Sequence, residues 1–513
     1  MIQRIYSIIR PVYWLGHSVG LTVGAALIFL SSTGSVSAQI ASSSTTDTLR
    51  YTVEDAILTA LSRNPTVTIQ RISGSMTDTY RREQRALFDP AFSAGITQSD
   101  DKSQRFLGAR REPFLLKTQR FQYNLGFTQS LPSGTNISMN AAVSGTKSSI
   151  YANQFTGTVG VTINQSLLQG FGLRTNLAEL RKANLDINIS NYEMKGVAEQ
   201  VVADVERAYW ELYLAGQEMA IQQSSLELAE QQLSESEERV AVGKLAQLEV
   251  ASVQAEVATR REALILAQSQ YEQARLQLLF LLNPAESGSW DIPVLISEQP
   301  TIPSDSLGIV ADHVKLGMMY RPDLIQARYQ LEKGEIDVIS TRNGLLPRLD
   351  VFITLGTSSY GENFERAKPT AGSDFYTATG GFTFSLPLFD RSERARLSRA
   401  QQSAEQRIEA LHNMERMVQR DVRSAYIDVS HSRELIEASR VSRDLQDKKL
   451  AAELEMFRVG KSTNFLVLQA QRDFTLSQLA EARSLVSYLI ALTNLYLMEG
   501  TLLERRHIDP GIQ

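Results

Sequence analysis

The chain has 513 residues, with 52 Lys and Arg against 57 Asp and Glu, 5 His and no Cys, for a formal net charge of −5. Without thiols it cannot form disulfides, bind metal through thiolates or carry lipid on an N-terminal Cys, and so mild a charge argues against nucleic-acid binding. The histidines, at 17, 313, 412, 431 and 507, are scattered, with no His-Glu-x-x-His, no nucleophile elbow and no Gly-Lys-Ser/Thr loop after a strand. An enzyme is therefore not expected, and no cofactor or metal is assigned.

Residues 1–38 carry Arg4 and Arg10, then an apolar run from Val19 to Leu30, then small residues ending Val36-Ser37-Ala38 before Gln39. This is the pattern of a cleaved secretory signal peptide. A membrane anchor fits less well, because the run falls short of the roughly 18 apolar residues needed to span. No longer apolar stretch follows, so a membrane crossing by this chain requires a β-barrel.

In chain order, a short helix is predicted over Val53–Ser62, with Thr52 as N-cap and Asp55 completing the cap, and another over Pro65–Phe88, stopped by Asp89-Pro90. Strands follow near Phe92–Thr97, in Phe121, Tyr123, Leu125 and Phe127, in Ile137, Met139, Ala141 and Val143, and in Phe155 to Ile163. Leu131-Pro132-Ser133-Gly134 supplies a turn between the second and third runs. The alternating partners are mainly Ser, Thr, Asn, Gln and Gly, which suits strands between lipid and a watery lumen. A soluble sandwich with one wet face shares this periodicity. The signal peptide and the near absence of charge on the polar face favour the barrel.

A proline-free run from about Asn176 to Val242 steps by four and three through the apolar Val201, Val205, Ala208, Leu212, Ala215, Met219, Leu226, Ala229, Leu233 and Val240, with Gln222 and Ser236 as the polar members of the stripe. That is a coiled-coil period in one very long helix, closed by Gly243 and followed by a return helix over Gln247–Leu282. After a Pro-, Ser- and Gly-rich connector with a short strand at Val294–Ile296, the second half repeats the scheme. Its helices are expected at Ile309–Met319, Pro322–Leu346, Arg391–Arg458 and Asn464–Met498, with strands around Val351–Leu355 and Tyr376–Leu388. The second long stripe drifts near Leu435. The short helices, connector and C-terminus are expected to form a belt around the middle.

The halves are copies. Val201-x-x-Asp204-Val205-x-x-Ala208-Tyr209 returns as Val418-x-x-Asp421-Val422-x-x-Ala425-Tyr426, and Val242-Gly243-Lys244 as Val459-Gly460-Lys461, each displaced by 217. Asn64-Pro65 and Pro90 match Arg321-Pro322 and Pro347 at 257, so 40 residues of strand material were gained between Pro90 and Ala178. The organisation read from this is residues 1–38 signal peptide, 39–283 first repeat, 284–308 connector, 309–499 second repeat and 500–513 tail. Two strands in the second half and two to four in the first cannot close a barrel alone, since about eight is the smallest number seen. Several chains must share one.

Two sets of helix, strand pair, very long helix, tip glycine and return helix resemble the outer-membrane efflux protein family, the TolC-type channels. The pieces that carry the likeness are Arg239-Val240-Ala241-Val242-Gly243-Lys244, Met456-Phe457-Arg458-Val459-Gly460-Lys461 and Ser385-Leu386-Pro387-Leu388-Phe389. The fold class expected is mainly α with membrane β: duplicated long-helix coiled-coil halves forming an α-helical barrel, and a β-barrel shared between protomers of a trimer. The resemblance implies a homotrimer in outer-membrane lipid whose tunnel extends into the periplasm. There it would meet a periplasmic adaptor (membrane fusion) protein and an inner-membrane transporter.

The same resemblance places adaptor contacts at the tips Val242, Gly243, Lys244 and Leu245, and Val459, Gly460, Lys461 and Ser462. Where the family narrows its tunnel with acidic side chains, this chain has Leu466 and Gln469, and the sixth position beyond the first-half glycine is Glu249. Glu249, with an apolar ring from Leu466 or Phe465, is the gate candidate; the other reading has Leu466 packed between helices and Glu249 as a solvated tip charge. The family's usual four strands per chain become six if Phe121–Thr146 is an added hairpin. The alternatives are longer strands or an external loop. The competing function is a periplasmic coiled-coil adaptor or scaffold, which needs no membrane strands.

Overall fold

The computed structural model describes residues 49–106, 113–150, 152–243, 246–284, 289–291, 293–302, 307–368 and 375–508. The expected signal peptide, the tip residues Lys244 and Leu245, parts of the connector and residues 509–513 lie outside the described residues.

The chain opens with β1 (Leu49–Tyr51) and α1 (Val53–Arg63). The Thr52 hydroxyl accepts from the Asp55 amide at 3.1 Å and the Asp55 carboxylate accepts from the Thr52 amide at 3.3 Å, which is the reciprocal cap the sequence predicts. Helix α2 (Pro65–Ala86) follows, with Asn64 accepting from the Thr66 amide and Pro65 in the first turn. Four strands come next: β2 (Ala91–Arg105), β3 (Phe114–Ser130), β4 (Thr135–Ser148) and β5 (Gln154–Ser166). A single turn, α3 (Leu173–Asn176), leads through Leu177 into α4 (Ala178–Ala241), and α5 (Gln247–Leu282) returns.

Strand β6 (Val294–Ile296) then pairs in parallel with β1. The second half contains α6 (Val310–Tyr320), α7 (Pro322–Gly344), β7 (Arg348–Gly361), β8 (Tyr376–Ser385), α8 (Arg391–Arg458), α9 (Asn464–Glu499) and α10 (Leu502–Arg505). The predicted strand end at Leu388 moves back to Ser385, because Pro387 has no N–H to offer a ladder.

Helices α4 and α8, of 64 and 68 residues, run roughly 96 and 102 Å at about 1.5 Å per residue. Helices α2 and α5 both pack on one side of α4, α7 and α9 on its other side, and α8 packs on α7 and α9. The result is a wall four helices wide, with α2 and α5 at one edge and α8 at the other. The predicted stripe faces inward: Val201, Val205, Ala208, Leu212 and Ala215 are buried, as are Val418, Val422, Ala425 and Val429 in the copy. Beyond them Leu435 is exposed, and the next buried α8 residues are Ser439, Leu450 and Phe457, where the stripe had drifted.

The repeated motif has a physical cause. Tyr209 Oη donates to the Tyr51 carbonyl at 3.1 Å, and Tyr426 Oη donates to the Gly308 carbonyl at 3.1 Å. Each long helix therefore holds the strand of chain that enters its own short helix, once per half. These contacts belong to one core in which α1, α4, α5, β6, α8, α9 and α10 all bury side chains, among them Ile57, Tyr209, Leu282, Val294, Val422, Leu495 and Leu503.

Strands β2 to β5, β7 and β8 form a single antiparallel sheet in that order, and β2 and β8 are its edges. The inserted segment is thus a hairpin in the sheet, which has six strands among the described residues. Its inner turn is tied to the helix start: Gly134 adopts φ +87°, Leu131 donates to the Thr135 carbonyl, and Asn176 Nδ2 donates to the carbonyls of Pro132 and Gly170 at 3.1 and 2.8 Å. Farther along, Gly145 leaves room for the Phe121 ring, which reaches Phe155 on the next strand at 5.2 Å between centroids.

Candidate functional site

Both long helices end on a glycine of the same conformation. Gly243 and Gly460 adopt φ +74° and +77°, a left-handed conformation that costs a Cβ-bearing residue about 1 kcal/mol. Gly460 donates to the Phe457 carbonyl at 3.1 Å and Lys461 to the Met456 carbonyl at 2.8 Å, satisfying the last carbonyls of α8. A Cβ at either glycine would meet nothing within 4 Å, so backbone conformation alone demands glycine there. Val242 and Val459 stand exposed beside them, and Ser462 Oγ donates to Glu453 Oε2 at 2.7 Å.

Of the gate candidates, Glu249 lies exposed in the first turn of α5, and Phe465, Leu466 and Gln469 lie exposed in the first two turns of α9. Leu466 is 43 % exposed, whereas Val467, Leu468 and Ala470 fill the interior of that turn. Sequence reading missed Leu248, which at 85 % is the most exposed large apolar side chain of these tips. It also missed a polar lock between α4 and α9, in which Gln232 Nε2 donates to Asn464 Oδ1 at 3.0 Å, both residues buried. A cation–π contact adds to it, with the Arg239 guanidinium 4.4 Å from the Phe457 ring centre. The polar Ser236 in the apolar stripe was the visible signal, since it sits one turn from Gln232 and donates to its carbonyl at 2.7 Å.

Higher on α4, Glu199 is buried, and burial pushes its carboxyl from about 4.5 up to about 8, against the opposing pull of Lys195 at 3.8 Å. The native state therefore holds a proton that the unfolded chain releases. Stability from this group is complete below pH 4.5 and is lost as the pH rises through about 8. Glu199→Gln is expected to flatten this dependence and to stabilise the protein above pH 8, read as thermal unfolding across pH.

The sheet has two chemically distinct faces. Pairing places Phe92, Phe127, Met139, Val161, Leu355 and Ala378 on one side, in line across all six strands. The other side presents mainly Ser, Thr, Asn, Gln and Gly, with Phe114, Leu116, Phe352 and Tyr360 among them, and its charge is confined to Asp101, Arg105 and Arg120 toward one end and Arg348 and Asp350 toward the helices. Several large apolar side chains on the first face are largely uncovered among the described residues: Ile96 is 78 % exposed and Phe382 75 %. Such a surface calls for lipid or protein against it.

Paired long helices on a membrane-type sheet define a class of outer-membrane channels. The chain matches the sequence model of the family described as outer membrane efflux protein over residues 56–284 and 319–501. It belongs to that family. Among relatives, it is 24 % identical over 337 residues to the outer membrane efflux protein BepC of Brucella suis biovar 1, covering 63 % of this chain and 68 % of BepC. It is 26 % identical over 324 residues to the pyoverdine export outer membrane protein OpmQ of Pseudomonas putida, covering 60 % of this chain and 64 % of OpmQ. The Campylobacter jejuni CmeC outer membrane channel shares the fold with a TM-score of 0.66 at 15 % identity, over 88 % of this chain and 86 % of CmeC.

Proposed function

We propose that this chain is the outer-membrane exit duct of a tripartite efflux or type I secretion system, working as a homotrimer. One observation carries the reading: the helical wall and the sheet are both unfinished at the same ends of the chain. Helices α2 and α5 and strand β2 open one edge, and α8 and β8 open the other. A surface that differs from the one it must meet closes only as a ring. The apolar sheet face then meets outer-membrane lipid, and the polar face lines the lumen. The helices continue from the sheet into the periplasm as a tunnel.

At the far end, Val242, Gly243, Lys244 and Leu245 with Val459, Gly460, Lys461 and Ser462 offer the contact for a periplasmic adaptor, which links the duct to an inner-membrane transporter. Transport itself asks for no chemistry from this chain. Its part is an entrance that is closed at rest and opens as the tips move apart. Glu249, Phe465, Leu466 and Gln469, repeated around the ring, form that entrance, with Leu248 beside them.

Two tests follow. Detergent should be required to extract the protein from an outer-membrane fraction; an elongated soluble protein would favour the adaptor or scaffold. In planar bilayers, Glu249→Ala or Leu466→Ser should raise leak conductance in the absence of an adaptor. Unchanged conductance in both variants would remove these residues from the gate.

A further inference from the structure

We infer that the duct closes through an eighteen-stranded β-barrel, with β8 of each protomer paired antiparallel to β2 of the next and staggered by six residues. The inference rests on the trimeric reading above, and goes beyond it in the number of strands, the register and the width of the exit.

Direction and face agree with closure. The six strands alternate, so the first and last run oppositely and can pair as antiparallel neighbours. The apolar residues have even numbers on both free edges, Phe92, Ala94 and Ile96 on β2 and Ala378, Phe382 and Phe384 on β8. Pairing even with even continues the apolar face around the ring without a break.

The register inside one protomer supplies the stagger. From Ala91, the ladder partners run straight across the sheet through Thr128, Ser138, Thr162 and Thr354 to Thr379. Thr379 is six residues short of Ser385, where β8 ends on its way to α8, while Ala91 begins β2 directly after α2. For the inner rims of neighbouring protomers to meet, Ala91 must therefore lie opposite Ser385. Six residues of about 3.3 Å against six strand spacings of about 4.8 Å tilt the strands by about 35°. Closed barrels have tilts of about 35–45°, so the sheet already carries the stagger that its closure requires.

The added hairpin is part of this wall. The Phe121 ring over Gly145 stitches its strands to β5, and the Pro132 and Gly134 turn is held by the start of the long helix. At the same tilt, eighteen strands make a backbone cylinder about 33 Å across, against about 22 Å for twelve. Between Arg120 and Asp350 the lumen side of all six strands carries no charged residue. Such an exit is wide, mainly polar apart from Phe352 near its inner rim, and without a charge ring over its middle, suited to bulky hydrated cargo.

The absence of cysteine makes the register directly testable. In the proposed closure Thr97 faces Thr379 of the neighbouring protomer, both on the lumen side. Oxidising Thr97→Cys/Thr379→Cys in membranes should give covalent dimers and trimers on non-reducing gels, whereas Ala91→Cys/Thr379→Cys, the unstaggered register, should give none. Imaging of the full chain in detergent should count eighteen strands. Cross-linking only in the unstaggered variant, or a trimer with twelve strands in its wall and the hairpin outside, would overturn the inference and leave the duct standing. A particle without any barrel would overturn both.

Discussion

Arg506→Ala is expected to destabilise the protein by about 3 kcal/mol, because it strands a buried carboxylate. Glu206 on α4 is completely buried and is held by three bonds: Arg506 Nε at 2.6 Å, Arg506 Nη2 at 2.8 Å, and Thr493 Oγ1 at 2.6 Å from α9. The guanidinium fork neutralises the charge and satisfies both oxygens. Without it the charge stays buried with one hydroxyl donor. The pair also ties the segment after α10 to α4, so the variant should loosen the C-terminal part of the core that joins α4, α9 and α10. The check is urea or thermal unfolding of the detergent-solubilised protein. A double variant, Glu206→Leu with Arg506→Met, should recover most of the loss, since breaking a buried pair costs far more than replacing it with apolar groups. An unchanged midpoint in Arg506→Ala would show that water reaches Glu206.

Gly500→Ala is expected to cost a comparable amount, roughly 2–4 kcal/mol from left-handed strain plus overpacking. Gly500 ends α9 with φ +70°, donating to the Leu497 carbonyl at 3.0 Å while Thr501 donates to the Tyr496 carbonyl at 3.1 Å. A Cβ there would lie 2.7 Å from the Tyr320 carbonyl oxygen, 2.8 Å from Arg321 Cα and 2.9 Å from Arg321 N. All three are backbone atoms at the junction of α6 and α7, so no side-chain rotation can relieve the contact. The tip glycines make the comparison: Gly460→Ala carries the conformational cost but meets no neighbour, and should lower the unfolding temperature much less. Equal effects at the two positions would mean that the α6–α7 junction yields.

Much of this architecture was legible in the chain because its two periods are long and clean. A heptad-like stripe carried through Val201, Val205, Ala208 and Leu212 admits one buried face, and both return helices were bounded by glycine at the tip. Alternation in Phe121 to Phe127 and Ile137 to Val143 marked strands and their apolar side, while the 40-residue slip between the repeats pointed to an insertion. The polar lock near the tips was less legible. Gln232, Asn464 and Arg239 are unremarkable in sequence, and they come together only because α4 lies against α9 and its tip beside that of α8.

What each segment is can be read locally: helix length, strand face, tip and duplication are periodicities written by which side chains must leave water. Which segments meet is set only by the packing of the whole chain. That the inserted residues form a hairpin in the sheet, that Glu206 meets Arg506 and that Gly500 bears on Arg321 follow from contacts between residues far apart in the chain. No local pattern encodes such pairings, because they depend on how the whole wall packs.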